Sequence, residues 1–238
     1  MPAYDLYLES GPKHRKTMVH VLGLLGCVAV GPTTEAALAA TPEAIRAFLS
    51  FLARHGEAVD PDEAFETRVI EHVTEGEWLG NGSPYVSFGP DLDPVAETEI
   101  ETLLARCHAL HESLAAWSQG QTDALLDQTP ANGRTARAIL LHVIGPVGGY
   151  LAAALGGAPG FSRVASAAER GELSPAEALR QVDALAAALV RATTPAERAA
   201  VVQRPKEIRT LRKALRRMLE HGWEHLAELS RRPGGPEL

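Results

Sequence analysis

The sequence predicts an α+β protein in two parts: a small sheet-and-helix sandwich over residues 1–92 and an all-α four-helix bundle over residues 93–238. Three observations carry this expectation. Short runs near the N-terminus alternate apolar and polar residues with period two, the period of a half-buried strand. Beyond Gly89-Pro90-Asp91-Leu92-Asp93-Pro94 the apolar period becomes that of a helix and stays so. The charge changes at the same place, because residues 1–92 carry six Lys/Arg against 13 Asp/Glu, which accounts for the whole formal net charge of −7.

In the first part Tyr4, Leu6 and Leu8 alternate with Asp5, Tyr7 and Glu9, and a second extended run goes from Thr17 to Val30. The turn residues Ser10-Gly11-Pro12-Lys13-His14 between them make the two runs a hairpin. Gly31-Pro32-Thr33-Thr34-Glu35 ends the second strand and opens a helix, with a threonine cap and an acidic first turn. This helix runs to about Arg54, its stripe of Leu38, Ile45, Phe48, Leu49 and Leu52 suited to a sheet face, and Gly56 ends it. Residues Phe65–Val73 and Tyr85–Phe88 alternate again, so the expected order is β-β-α-β-β.

The second part reads as helices over about 94–118, 134–155, 174–192 and 206–231. Ser174-Pro175-Ala176-Glu177 is a good helix start, since serine caps, proline suits the first helical position and glutamate favours the dipole. In the last helix Arg209, Arg212, Lys213, Arg216 and Arg217 crowd one side, the expected solvated face opposite a buried stripe.

Three of the nine histidines stand out by spacing. His221 and His225 are four apart, so on a helix both imidazoles look the same way from the flank of the apolar stripe and can converge on one ion. A pair so spaced also arises as a satisfied surface pair. His142, on the second bundle helix, reaches their level only if the two helices are antiparallel. The long connection from Gly156 to Leu173 permits that by crossing the bundle's length. Pro146 cannot bond the His142 carbonyl, so a kink is expected there, with a gap for a ligand beside Gly145 and Gly148.

His221-Gly222-Trp223-Glu224-His225 also matches the inverted zinc-protease signature literally. That reading fails, because only 13 residues follow His225 and Glu224 falls toward the basic side of the helix. His108 and His111 read as surface or core-edge residues and Cys107 as a small buried filler. His14, His20, His55 and His72 form no expected cluster. There is no Gly-x-Gly-x-x-Gly opening a helix, no P-loop and no Gly-x-Ser-x-Gly.

At Ile139-Leu140-Leu141-His142-Val143, and from Leu211 through His221-Gly222-Trp223-Glu224-His225-Leu226, the second part resembles the DinB/YfiT-like superfamily. The resemblance covers residues 94–231 and implies a four-helix bundle with a long crossover and a divalent metal, zinc or nickel, on His142, His221 and His225. It further implies thiol-dependent transferase or isomerase chemistry on a small-molecule substrate, with a low-molecular-weight thiol as co-substrate. The family's tryptophan before the second helix is absent from Ala131-Asn132-Gly133-Arg134-Thr135. The first part resembles the HicB-type antitoxin fold at Leu24-Leu25-Gly26-Cys27-Val28-Ala29-Val30-Gly31-Pro32-Thr33-Thr34-Glu35-Ala36.

Two functions follow as expectations. One is a metal-dependent enzyme with an accessory N-terminal domain. The other is a non-catalytic interaction protein whose acidic domain binds a basic protein partner, the bundle serving as an oligomerisation scaffold. Two distant cysteines and an acidic N-terminus poor in apolar residues suit a cytoplasmic protein with no membrane span. The acidic first part does not suit nucleic acid. A homodimer is the expected assembly.

Overall fold

The polar turn after Ser10 reverses the chain, so that β1 (Ala3–Ser10) pairs antiparallel with β2 (Thr17–Val21), Leu8 opposite Val19. The computed structural model describes all 238 residues and is a mixed α+β protein. The expected long second strand is two strands. A 3₁₀ turn at Leu22–Leu24 and Gly26 break it, and β3 (Val28–Gly31) folds back antiparallel onto β2. Gly26 adopts φ +109°, and a Cβ there would stand 2.7 Å from the Phe48 ring, so the reversal requires glycine.

From Thr33, whose hydroxyl accepts from the Ala36 N–H, α1 (Thr34–Arg54) runs across the sheet. β4 (Glu66–Val73) then pairs parallel to β1, giving the order β3-β2-β1-β4.

Tyr85–Phe88 is not a strand, which corrects the expected β-β-α-β-β to β-β-β-α-β. These residues cross the sheet face opposite α1, where Val86 and Phe88 pack with Tyr7 and Leu79 in a small separate cluster. The Glu9 carboxylate pins the start of this strap by accepting from the Gly82 and Ser83 N–H groups at 2.6 and 3.0 Å.

The helical part contains α2 (Glu97–Gln119), the single turn α3 (Asp123–Leu126), α4 (Ala136–Leu155), α5 (Phe161–Glu169), α6 (Pro175–Arg191), the turn α7 (Pro195–Arg198) and α8 (Leu211–Ser230). A two-residue hairpin, β5 (Val202–Gln203) with β6 (Ile208–Arg209), occupies the start expected for the last helix, which therefore begins at Leu211 behind its Thr210 cap. Ion pairs fix the helix directions. Glu101 meets Arg191 and Glu112 meets Arg180, so α2 and α6 are antiparallel. Arg134 meets Glu228 while Arg217 lies over Tyr150, so α4 and α8 are antiparallel too. Glu99 meets Arg212 and Trp117 donates to the Gly234 carbonyl, so α2 and α8 run together. The long connection, which folds into α5, thus crosses the bundle's length as its sequence permits.

One cluster of 49 buried apolar residues runs through both parts without a break at residue 92. Trp223 of α8 stands on Phe48 and Phe51 of α1, ring centroids 4.8 and 5.4 Å apart. By length and composition alone α1 and α4 are each long and apolar enough to cross a bilayer, a test that a buried core helix also passes. Both give side chains such as Phe48, Leu52, Ile139 and Leu140 to the shared core.

The basic side of α8 is not solvated. Lys213, Arg216 and Arg217 are all buried: Asp91 of the first part meets Arg216, Glu220 of α8 itself meets Arg216 and Arg217, and the Pro84 and Ile208 carbonyls and the Ser87 hydroxyl accept from Lys213. Arg216, 1% exposed, donates to both Asp91 oxygens at 2.7 and 2.9 Å and to Glu220 at 2.9 Å. Glu220 also meets His20 of β2 at 2.8 Å, so His20 belongs to a cluster after all. Burial alone would raise the Glu220 carboxyl, but Arg216, His20 and Arg217 outweigh it and hold it well below the usual carboxylate range.

Removing the cation would strand two buried carboxylates. Arg216→Ala is expected to lower unfolding stability by about 3–5 kcal/mol in urea titrations at neutral pH. Because the folded Glu220 carboxyl is depressed, its contribution is present above the ordinary carboxylate range and fades as pH falls below it.

Candidate metal centre

α4 and α8 present their histidines to each other because they are antiparallel and cross near the middle of both. His142 points from α4, exposed, and His221 and His225 from successive turns of α8, both buried. Ring centroids stand 4.8 Å apart for His142 and His221, 5.0 Å for His142 and His225, and 4.7 Å for His221 and His225. One nitrogen from each lies within 4.8 Å of the others. Zinc bonds to imidazole of about 2.1 Å at tetrahedral angles place nitrogens about 3.4 Å apart, so small ring rotations suffice to seat an ion.

The electrostatics agree with ligand duty, which needs neutral imidazoles. Burial, then the neighbouring His225 and Arg217, push His221 far down. His225 is lowered to about 4, burial outweighing the upward pull of Glu228, and His142 is lowered by burial and by Arg134. His225 Nδ1 lies 2.8 Å from a Glu228 oxygen, an arrangement that puts the proton on Nδ1 and leaves Nε2 free. Glu228 is itself held by Arg134 at 3.3 Å and Arg232 at 3.5 Å.

Glu228, not Glu224, is therefore the carboxylate that meets a site histidine. The sequence reading did not single it out, although His225 and Glu228 are one helical turn apart and the spacing was legible. Glu224 is pushed up by burial, against the opposing pull of Arg217 and Lys16. Tyr150 and Arg217 were also missed; the Tyr150 ring lies 6.1 Å from His221 and 6.0 Å from the Arg217 guanidinium carbon.

One expectation about the surroundings changes. α4 is helical on both sides of Pro146. There is no gap beside Gly148, since a Cβ there would come within 2.3 Å of Phe161 in α5; the open glycines are Gly145 and Gly149. His108 and His111 engage Asp183 of α6 at 2.8 and 3.1 Å rather than the histidine trio. Cys27 and Cys107 are buried, which pushes both thiols up, so neither is poised as a thiolate.

Comparison with protein-family models, with curated proteins and with solved structures returns no match for this chain.

With all three imidazoles depressed, protons do not compete for the nitrogens near neutrality. Zinc affinity is expected to stay nearly flat between about pH 6 and pH 8, where ordinary histidines would lose it steeply toward the acid side, as read by chelator competition. Glu228→Gln keeps the shape but weakens the orienting hydrogen bond, and is expected to lower zinc affinity about 10–100-fold in the same assay.

Proposed function

We propose that the chain is a metal-dependent enzyme in which His142, His221 and His225 hold zinc or nickel. The observation that carries the reading is the convergence of three neutral imidazoles from two helices, one of them oriented by a carboxylate. Three protein nitrogens leave a coordination position open, the arrangement of a catalytic rather than a structural site. A bound divalent ion supplies Lewis acidity, lowering the pKa of a thiol or water at that position.

The chain's own residues do the rest. His142 is the exposed member of the trio, so the approach lies on its side of the α4–α8 seam. Glu228 fixes the His225 tautomer, and Arg134 and Arg232 keep Glu228 ionised near that ring. No cysteine of the chain can act as the thiol, because both are buried away from solvent. The reaction class that fits is thiol-dependent transfer or isomerisation of a small molecule, the thiol arriving as a low-molecular-weight co-substrate.

The interaction reading draws less support. The excess negative charge of the first part suggested a basic partner, and Arg216 on the buried basic side of α8 already meets Asp91 and His20 there. A HicB-like accessory role and a homodimer remain part of the proposal.

Metal analysis of the purified, untagged protein by inductively coupled plasma mass spectrometry tests the reading. About one zinc or nickel per chain is expected. His221→Ala is expected to abolish it with the helical circular dichroism unchanged. Full metal content in that variant, or none in the parent protein after metal is added back, overturns the assignment.

A further inference from the structure

One helical turn before the histidines, α8 and α4 part to leave a cavity of about 160 Å³. Small residues of α4, Gly149 and Ala153, make the room, and Tyr150, Arg209, Lys213 and Arg217 line it. Its cations outnumber its acids, since Glu207 is the one acidic lining residue and is already paired with Arg209.

Lys213 directs its ammonium at the Pro84 and Ile208 carbonyls and the Ser87 hydroxyl, at 2.7, 3.0 and 2.9 Å, so it supplies field rather than free donors. Arg217 is different. It is 5% exposed, gives Nη1–H to Glu220 at 2.8 Å, and has no partner for Nε. A buried guanidinium so incompletely satisfied is costly unless something else meets it. Gly82 packs flat against it from the strap, where a Cβ would come within 2.3 Å of Nη2, so the strap shapes this wall without bringing an acceptor side chain.

Arg217 precedes His221 by four residues, about 6 Å along the same helix face, and Tyr150 touches the space of both. We propose that this cavity binds the acidic group of a small organic acid, holding it by Arg217 while the acid's reacting atom extends to the histidine cluster. The inference rests on the metal-enzyme reading for the role of that second end. The volume sets the class of ligand: it admits an acid of a few heavy atoms and excludes a nucleotide, whose pockets run to roughly 300 Å³ and more. A charge-assisted bond to a buried guanidinium is the discriminating contact.

Two probes of the same length separate the contributions: 3-mercaptopropionate and the neutral 3-mercaptopropan-1-ol. Each is titrated into zinc-free and zinc-loaded protein and followed by chemical-shift changes, which read millimolar affinities. The acid is expected to bind about tenfold or more tightly than the alcohol in both forms, with shifts centred on residues 149–154 and 213–217. Arg217→Gln is expected to erase that preference. Because Arg217 is buried and this variant can lose stability, Ala153→Phe provides a second test that fills the cavity and leaves the Arg217–Glu220 pair intact; it too is expected to remove the preference.

Equal affinity for acid and alcohol, no binding of the acid, or a preference that survives in a folded variant overturns the proposal. Failure to take up zinc overturns the metal assignment instead and leaves the acid preference readable in the zinc-free protein.

Discussion

A single buried cation organises this molecule. Arg216 sits in the second turn of α8 with almost no contact with water, and its charge is tolerable only because Asp91 and Glu220 meet it from two sides. Asp91 belongs to the 3₁₀ turn that leads from the sheet into the bundle. Glu220 reaches onward to His20 in the sheet. The sheet, the crossing strap and the last helix are therefore tied through one guanidinium, and the apolar core closes around it from Leu6 to Leu229.

Much of this was legible because local signals and global packing agree. Thr33 and Ser174 cap the helices they were expected to cap, and the alternation of Tyr4–Glu9 does form a strand. The four long helices lie within a few residues of their expected limits, and their directions follow from the length of the connection now occupied by α5. What escaped was non-local. Tyr85–Phe88 alternates like a strand, yet the sheet edge beside β1 is taken by β4, so the segment lies across the sheet instead of joining it.

The basic face of α8 escaped for a related reason. A helix wheel ranks residues by polarity, and on that scale Arg216 and Arg217 belong outside. A wheel of α8 shows Glu220 on the same side but does not carry the information that Asp91 and His20 wait there too. The charge asymmetry of the chain held part of that information: Asp91, one of the acids of the first 92 residues, pairs with Arg216 of the basic run. The histidine spacing, by contrast, is a property of a single helix and needed only the antiparallel partner to become a site.

The same charged network explains why the site can be specific in its geometry. A helix packed only by apolar side chains can rotate by several degrees at small cost, since dispersion contacts are non-directional. Arg216 engages Asp91 and Glu220 engages His20 by directional hydrogen bonds to other elements, which sets the rotation of α8 about its axis. His221 follows Glu220 directly and His225 follows one turn later, so fixing the one fixes the aim of the others. On the far side Glu228 repeats the device with Arg134, two residues before α4. The histidines thus lie between two electrostatic anchors, one tying α8 to the sheet and one tying it to α4. Their convergence on His142 is a consequence of those anchors as much as of the apolar core.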